Sequence, residues 1–269
     1  MFYMQNLLGK MLVPLGARQT ITHTKNMDNY TIVSMKWGTK YGGDYVNKLY
    51  NMARRNCTLP FKFVCFTDDA SGLDKNIDAR PLPPMDLPDG KERGWRKLSI
   101  FQKNSGLEGR VLFLDLDTVI VGNIDDFLTM DGKFIAIKHW KPSETQSIGE
   151  TGVFRFEAGA HPDLFEHFMA NMDEVKANNR HEQAYVISTL HKRGELSFWP
   201  EKWMPSFKYN CMRPFPLCFF QEPVLPEGAK MIVFHGNPTP DQAMRGEIKG
   251  IKKLFRHVIT PKWLKENWR

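Results

Sequence analysis

Two aspartates, Asp115 and Asp117, follow a run of apolar residues at 111–114. Such a run predicts a buried strand, and carboxylates two residues apart at its end lie on the same side of the chain. Ligands of open α/β sheets bind at the carboxyl ends of the strands. Hard oxygen donors at this position suit Mg²⁺ or Mn²⁺, which would bridge to the phosphates of a substrate. The alternative is structural, with one aspartate capping the turn and the other solvated.

A histidine and a glycine, His235 and Gly236, stand at the end of the last predicted strand, residues 231–235. An imidazole there can complete a metal site with the two aspartates. The glycine allows the backbone to approach a phosphate closely. A lone histidine at a strand end is more often structural, so the acidic pair is what favours its interpretation as a ligand.

The elements that must position these residues alternate between strands and helices. This alternation is typical of an α/β fold with a mainly parallel central sheet. Apolar runs predict strands at 30–36, 61–67, 111–114, 133–138, 152–156 and 231–235. Apolar residues at helical spacing predict helices after Asp44, around Trp95, from Pro162 and over 181–193.

The length of the chain suits a single large domain with a substantial core. We expect that domain to span 29–240, after a loosely attached N-terminal extension at 1–28 and before a basic tail at 241–269. Helical spacing in the tail predicts an amphipathic helix packed on the domain, with its apolar face at Met244, Ile248, Ile251, Phe255 and Val258.

Composition describes an ordinary globular protein, with 42% hydrophobic and 25% charged residues. No apolar run approaches the roughly 20 residues that a membrane-spanning helix needs. We identify no signal peptide, because no cleavage site follows the short apolar pieces near the N-terminus. The four cysteines form no C-x-x-C pair, which favours free thiols in a reducing cytosol over a disulfide or zinc framework. We therefore expect a cytoplasmic protein.

Positive charge is concentrated in the tail, which holds eight Lys and Arg against three Asp and Glu, a net +5 of the chain's +7. Such a segment favours an anionic surface, either phosphate-bearing lipid or nucleic acid, although a solvated helix face has the same composition. A nucleic-acid-binding module is disfavoured, because Lys and Arg are not interleaved with aromatic residues on any predicted strand face. We expect no nucleic-acid partner and a peripheral contact between the basic tail and a membrane.

The order of a buried strand, the acidic pair and a late His-Gly-x-Pro segment resembles retaining glycosyltransferases of the glycogenin and lipopolysaccharide galactosyltransferase type. The resemblance implies a glycosyltransferase-A fold, which is Rossmann-like. It also implies that Asp115, Asp117 and His235 hold Mn²⁺ on the diphosphate of a UDP-sugar. Leu116 and Gly236 would then lie beside the donor.

Further residues match the family's donor site over most of the chain. The implied donor-binding residues are Trp37, Gly38, Thr39 and Tyr41 after the first strand, Asp68 and Asp69 after the second, Lys97 facing the diphosphate, and Thr151 and Gly152 beside the sugar. Glu182 and Gln183 match the pair beside the reacting carbon and are the implied catalytic residues.

Some positions depart from the family's pattern. Glu182 stands where aspartate is usual, Thr151 replaces a serine, and Thr239 stands where a lysine commonly contacts phosphate. Lys208 is the candidate to supply that missing charge. Glu182 also has a structural interpretation, as a first-turn carboxylate that stabilises the N-terminus of its helix. These departures leave the donor sugar and the stereochemistry open.

The predicted function is metal-dependent transfer of a sugar from a nucleotide-sugar to a glycan or glycolipid acceptor in cell-envelope polysaccharide or lipopolysaccharide synthesis. The rival is a phosphatase similar to haloacid dehalogenases, with Asp115 as a phosphorylated nucleophile, Asp117 as general acid and Mg²⁺ as cofactor. That motif normally opens its domain, whereas two strand–helix units precede it here.

Overall fold

The computed structural model describes residues 29–88, 94–141, 147–248, 250 and 255–269. The predicted N-terminal extension, 1–28, lies outside them. The strands are β1 (Tyr30–Lys36), β2 (Phe61–Thr67), β3 (Asp78–Pro81), β4 (Arg110–Leu114), β5 (Thr118–Ile120), β6 (Phe134–Lys138), β7 (Gly149–Glu157), β8 (Leu196–Phe198) and β9 (Met231–Val233). The α-helices are α1 (Gly43–Asn56), α2 (Asp125–Thr129), α3 (Pro162–Ala170), α4 (Met172–Asn178), α5 (Glu182–Lys192), α6 (Pro240–Met244) and α7 (Lys262–Asn267).

Seven of the described strands form one sheet, in the order β3-β2-β1-β4-β7-β6-β8. Only β7 runs against the others, pairing antiparallel with both β4 and β6. The predicted α/β fold with a mainly parallel sheet is confirmed. Because β1 is flanked by two parallel strands and covered on both faces, all seven of its residues are buried.

Helices cover both faces of the sheet, and successive strand residues point to opposite sides of it. Ile32 and Leu112 pack in the cluster that contains the apolar face of α1. Val33 and Phe113 pack in the second cluster, with residues of α3 and α5 and of a 3₁₀ helix at Trp95–Phe101. This layering fixes β1 and β4 side by side, so that their carboxyl ends open at one edge of the sheet.

A short antiparallel pair, β5 with β9, lies beside that edge. β5 begins at Thr118, directly after the acidic pair, and Thr118 pairs with Val233. His235 therefore lies two residues beyond the end of the pairing, alongside the segment that carries Asp115 and Asp117.

The prediction of one amphipathic helix across Met244 and Val258 is wrong for the described residues. α6 ends at Met244, and positive φ angles at Gly246 (68°) and Gly250 (74°) are incompatible with a continuing right-handed helix. Phe255 is exposed while Val258 is buried, so the two do not share an apolar face. Ile251 lies outside the described residues.

The last residues of the chain nevertheless pack on the domain. Leu264 of α7 and Trp268 are buried in the cluster that contains α1. The Arg55 guanidinium donates hydrogen bonds to the carbonyls of Asn267 (2.7 Å) and Arg269 (2.8 Å). No helix among the described residues is long and apolar enough to cross a bilayer.

Candidate active site

A cavity of about 330 Å³ opens at the carboxyl ends of β1 and β4, within the size range of small-molecule sites. It is lined by Met35, Lys36, Trp37, Lys40, Tyr41, Gly94, Lys97, Asp115, Leu116 and Asp117. The sequence predicts six of these and misses Met35, Lys36, Lys40 and Gly94. Lys40 lies within the Trp37–Tyr41 segment and Lys36 directly precedes it, and this position is the signal that identifies the two lysines.

The acidic pair forms one wall of the cavity. The backbone N–H of Asp115 donates to the carbonyl of Gly152 (2.8 Å), which anchors the end of β4 against β7. Asp117 Oδ2 accepts a hydrogen bond from the Tyr41 hydroxyl (2.8 Å). Burial, together with the charge of Asp115, raises the pKa of Asp117 to about 6. Two carboxylates crowded in this way favour a bound cation, which would relieve their repulsion.

Lys97 lies behind the pair and is only 6% exposed. Its Nζ is 3.0 Å from Asp115 Oδ1 and donates to the carbonyl of Thr151 (3.0 Å). Burial would lower the pKa of Lys97, but the charges of Asp115 and Glu182 outweigh it and hold the pKa above its ordinary value. A permanent positive charge is therefore fixed beside the carboxylates, as the sequence predicts for a group facing a diphosphate.

Glu182 is buried in the first turn of α5, and its Oε2 accepts a hydrogen bond from the Thr151 hydroxyl (3.2 Å). Burial raises the pKa of Glu182 to about 7, against the opposing effect of Lys97. A carboxyl group with a pKa near neutrality can donate or accept a proton, which suits the predicted catalytic role. Its position in the first turn of α5 also agrees with the alternative interpretation, in which the Glu182 carboxylate stabilises the N-terminus of its helix.

Gln183 contacts a second carboxyl group, the half-buried Glu150, which is absent from the predicted catalytic and donor-binding residues. The side chain of Gln183 hydrogen-bonds to Glu150, and burial raises the pKa of Glu150 to about 7. His139 Nε2 lies 3.0 Å from Glu150 Oε1, while His139 Nδ1 accepts the backbone N–H of Lys141 (3.0 Å). The ring proton is therefore on Nε2 and is donated to Glu150. Its place beside Thr151 is the only sequence signal that Glu150 offers.

The turn after β1 is held by the acidic residues that follow β2. The backbone N–H of Gly38 donates to Asp68 Oδ2 (2.8 Å). Lys36 Nζ lies 3.7 Å from Asp68 Oδ1 and donates to the carbonyl of Asp69 (3.2 Å). Trp37 and Tyr41 line the cavity, whereas Thr39 is exposed in the turn. In this structure Asp68 positions the predicted nucleotide-binding turn.

His235 is engaged away from the acidic pair. Its Nε2 lies 2.7 Å from Ser206 Oγ, and its ring stacks on Trp140, with centroids 4.9 Å apart and an interplanar angle of 11°. Burial, reinforced by Lys208, lowers the pKa of His235 to about 4, so the imidazole is neutral, as a metal ligand must be. Lys208 therefore lies near His235, with its Nζ 5.1 Å from the centroid of the Tyr209 ring.

The donor set fits a hard divalent cation. Within the ranges that the structure describes, no three His, Cys, Asp or Glu side chains gather closely enough to hold a metal by themselves. Magnesium sites commonly use one or two carboxylates and complete their coordination with water and substrate phosphates. Asp115 and Asp117 supply that minimum, and His235 as a third ligand stays a prediction.

The segment after His235 explains one departure from the family's pattern. Thr239 caps α6: its hydroxyl accepts the backbone N–H of Gln242 (3.4 Å), and its own N–H donates to the Gln242 side chain (2.9 Å). Thr239 is therefore a helix cap, a role that lysine cannot fill. Gly236 has a φ of 84°, which favours glycine, and open space where a side chain would stand.

No protein-family model matches the sequence, and no curated protein matches it. The galactosyltransferase LgtC, solved in complex with donor and acceptor sugar analogues, matches the structure with a TM-score of 0.54 over 78% of this chain and 88% of its own, at 11% identity. GlyE of Streptococcus pneumoniae TIGR4, a glycosyltransferase solved in its apo form, matches with a TM-score of 0.53 over 79% of this chain, at 13% identity. The chain has a glycosyltransferase fold.

A second GlyE structure gives a TM-score of 0.54 at 12% identity, and this chain spans 56% of the length of GlyE. The glycosyltransferase fold confirms the predicted fold class. These likenesses do not favour the phosphatase alternative. The phosphatase motif normally opens its domain, whereas the acidic pair here follows the fourth strand of the chain.

A pH dependence of stability follows from Glu182 in this glycosyltransferase fold. Its pKa is about 7 in the folded protein and about 4.5 in the unfolded chain. The folded state therefore binds the proton more tightly, and stability falls as the pH rises between these values. We expect Glu182→Gln, which stays neutral, to gain about 1–3 kcal/mol relative to the wild type over this window. Urea unfolding of both proteins across the window measures the gain, and a constant difference would contradict it.

Proposed function

We propose that this chain is a glycosyltransferase that transfers a sugar from a nucleoside diphosphate sugar, expected to be a UDP-sugar, with Mn²⁺ or Mg²⁺ at Asp115 and Asp117. The observation that carries the proposal is the cavity at the carboxyl edge of the sheet, where both carboxylates face the donor space and the buried Lys97 lies behind them. Such a set matches the need to stabilise a departing diphosphate.

Each group of the site has its own proposed role. The cation, when bound, supplies Lewis-acid stabilisation of the leaving group. Lys97 adds fixed positive charge to the same end, and Tyr41 orients the Asp117 carboxylate through its hydroxyl. Glu182 and Gln183 are proposed to lie by the reacting carbon and to orient the acceptor. The hydrogen bond to Ser206 occupies Nε2 of His235, so Nδ1 is the ring nitrogen left for the metal site while that bond is kept.

The proposed acceptor is a glycan or glycolipid of the cell envelope, reached by a cytoplasmic enzyme that associates peripherally with the membrane. Two observations support this. The structure of LgtC that matches this fold holds donor and acceptor sugar analogues together. The tail of this chain carries a net charge of +5, from eight Lys and Arg against three Asp and Glu, which suits an anionic membrane surface.

A thermal-shift screen of the purified protein against a panel of nucleotide-sugars, with Mn²⁺ or with EDTA, tests the function and the donor at once. A ligand at about 100 times its dissociation constant adds about 2.7 kcal/mol to the free energy of unfolding, which is a readily measured shift. We expect stabilisation by one UDP-sugar that EDTA removes. No shift with any nucleotide-sugar, together with Mg²⁺-dependent phosphatase turnover, would refute the assignment.

A further inference from the structure

A cluster of large apolar side chains stands out on the surface where the long segment between β8 and β9 meets Phe255 of the tail. Exposed apolar groups of this size are unusual in contiguous patches on monomeric proteins and mark interaction surfaces. We call the cluster the aromatic patch; its members and their exposed fractions are Phe215 (60%), Leu217 (42%), Phe219 (39%), Phe220 (78%) and Phe255 (61%).

Ring contacts and hydrogen bonds hold the members of the aromatic patch in place. The Phe215 ring centroid lies 6.1 Å from that of Phe219 and 6.0 Å from that of Phe255, both in edge-to-face geometry. Between the exposed residues, Cys218 is buried, and its thiol is directed to the carbonyl of Phe255 (3.8 Å). The backbone N–H of Phe220 donates to the carbonyl of Leu217 (3.0 Å). Fixed backbone contacts therefore hold these side chains outward.

Basic residues accompany the patch. Arg256 and His257 follow Phe255 directly, and the Phe219 ring stacks on His257, with centroids 5.6 Å apart. Both belong to the tail that holds +5 of the chain's +7 charge, as counted above. Aromatic side chains flanked by Lys and Arg are typical of surfaces that bind anionic bilayers, because the rings enter the interface while the cations attract the headgroups.

The patch belongs to the same segment of chain as the residues that contact His235. Ser206 and Tyr209, which begin the same segment, contact His235: Ser206 Oγ lies 2.7 Å from its Nε2, and the Tyr209 ring centroid lies 5.3 Å from that of the imidazole. Six residues further along, the chain reaches Phe215. One segment therefore connects the patch to His235, the predicted third metal ligand.

We propose that the aromatic patch docks this protein on an anionic lipid bilayer, with the phenyl rings at headgroup level. This placement would present the active site to an acceptor anchored in the same bilayer, an inference that rests on the proposed function. The docking surface is thus the segment 215–220 with Phe255, and not an amphipathic helix of the tail.

Vesicle flotation with the full chain tests the docking, using phosphatidylcholine vesicles with and without an equal amount of phosphatidylglycerol and no sugar donor. We expect binding to the anionic vesicles that weakens with salt. Phe215→Ser combined with Phe220→Ser should lower the partition coefficient about tenfold or more, because burying a phenylalanine in an apolar environment is worth at least that much. The matched control is Leu225→Ser, which removes a side chain with 40% exposure from the same segment outside the aromatic run.

Three outcomes overturn the docking proposal: flotation that is unchanged in the double variant, flotation that Leu225→Ser weakens equally, or no flotation of the wild-type protein. If the wild-type protein does not float and forms a dimer that the double variant dissociates, the patch binds a second copy of the chain. Unchanged thermal unfolding of the variants excludes misfolding. Because flotation needs no turnover, failure of the proposed transferase activity leaves this test intact.

Discussion

Asp117→Asn should lower the rate of sugar transfer about a thousandfold while leaving the protein folded. Loss of one charge-stabilising group from a preorganised site commonly costs two to three orders of magnitude in rate. Here the carboxylate lines the cavity and is one of only two in the proposed metal site. Asparagine keeps the shape of the side chain and an oxygen that accepts the Tyr41 hydroxyl, and it removes a buried charge whose pKa is raised, so the free energy of unfolding at neutral pH should not fall.

Initial rates with saturating donor and Mn²⁺, alongside urea unfolding, measure both quantities. Asp131→Asn is the matched control, because the Asp131 side chain is fully exposed and lies outside the cavity. Titration of Mn²⁺ against each protein adds a direct readout of the metal site. Wild-type turnover in Asp117→Asn would remove the acidic pair from the mechanism.

Lys97→Met should lower the rate of sugar transfer and reduce the free energy of unfolding by about 3 kcal/mol. For a domain of this size, that reduction lowers Tm by roughly 6–12 °C. The ammonium group is buried against Asp115 and the carbonyl of Thr151, and its charge also acts on Glu182. Removing it leaves the buried Glu182 and the Asp115 carboxylate without their counter-charge. Because the Asp115 side chain is 38% exposed, the expected loss is at the low end of the roughly 3–5 kcal/mol that breaking a buried ion pair costs.

Two further variants test whether the effect is specific to Lys97 or would follow from the loss of any lysine. Lys103→Met removes a 69% exposed lysine whose ion pair with Glu166 (3.3 Å) lies on the surface, and should cost less than about 1 kcal/mol. Combining Lys97→Met with Glu182→Gln should recover part of the lost stability, because the two groups are coupled. Full additivity in calorimetry would show that Lys97 and Glu182 do not interact.

The strands were predictable because their physical signal is local. β1 and β2 begin and end where the apolar runs predict, since strands in the middle of a parallel sheet are covered on both faces and are therefore mainly apolar. The helix predicted through Met244 and Val258 failed because periodicity carries no information on backbone angles. The positive φ values at Gly246 and Gly250 end the helical path although the apolar spacing continues.

The site was predictable as far as its acidic pair and Lys97, because a strand end and a motif place them. Contacts between distant segments were not. The bond from Tyr41 to Asp117 and the pairing of His139 with Glu150 arise only from tertiary folding. The direction of the His235 side chain likewise depends on Ser206 and Trp140, which no local pattern connects to it.

The pairing of β9 with β5 determines when this site can exist during synthesis. β1, β2 and β4 emerge early from the ribosome, together with the acidic pair, but β9, which pairs with β5 and leads to His235, is translated later than every strand of the seven-stranded sheet. A nascent chain that stops before Met231 can therefore contain the sheet and both carboxylates without the segment that flanks them. Assembly of the candidate site therefore requires that β9 has been made and has paired with β5.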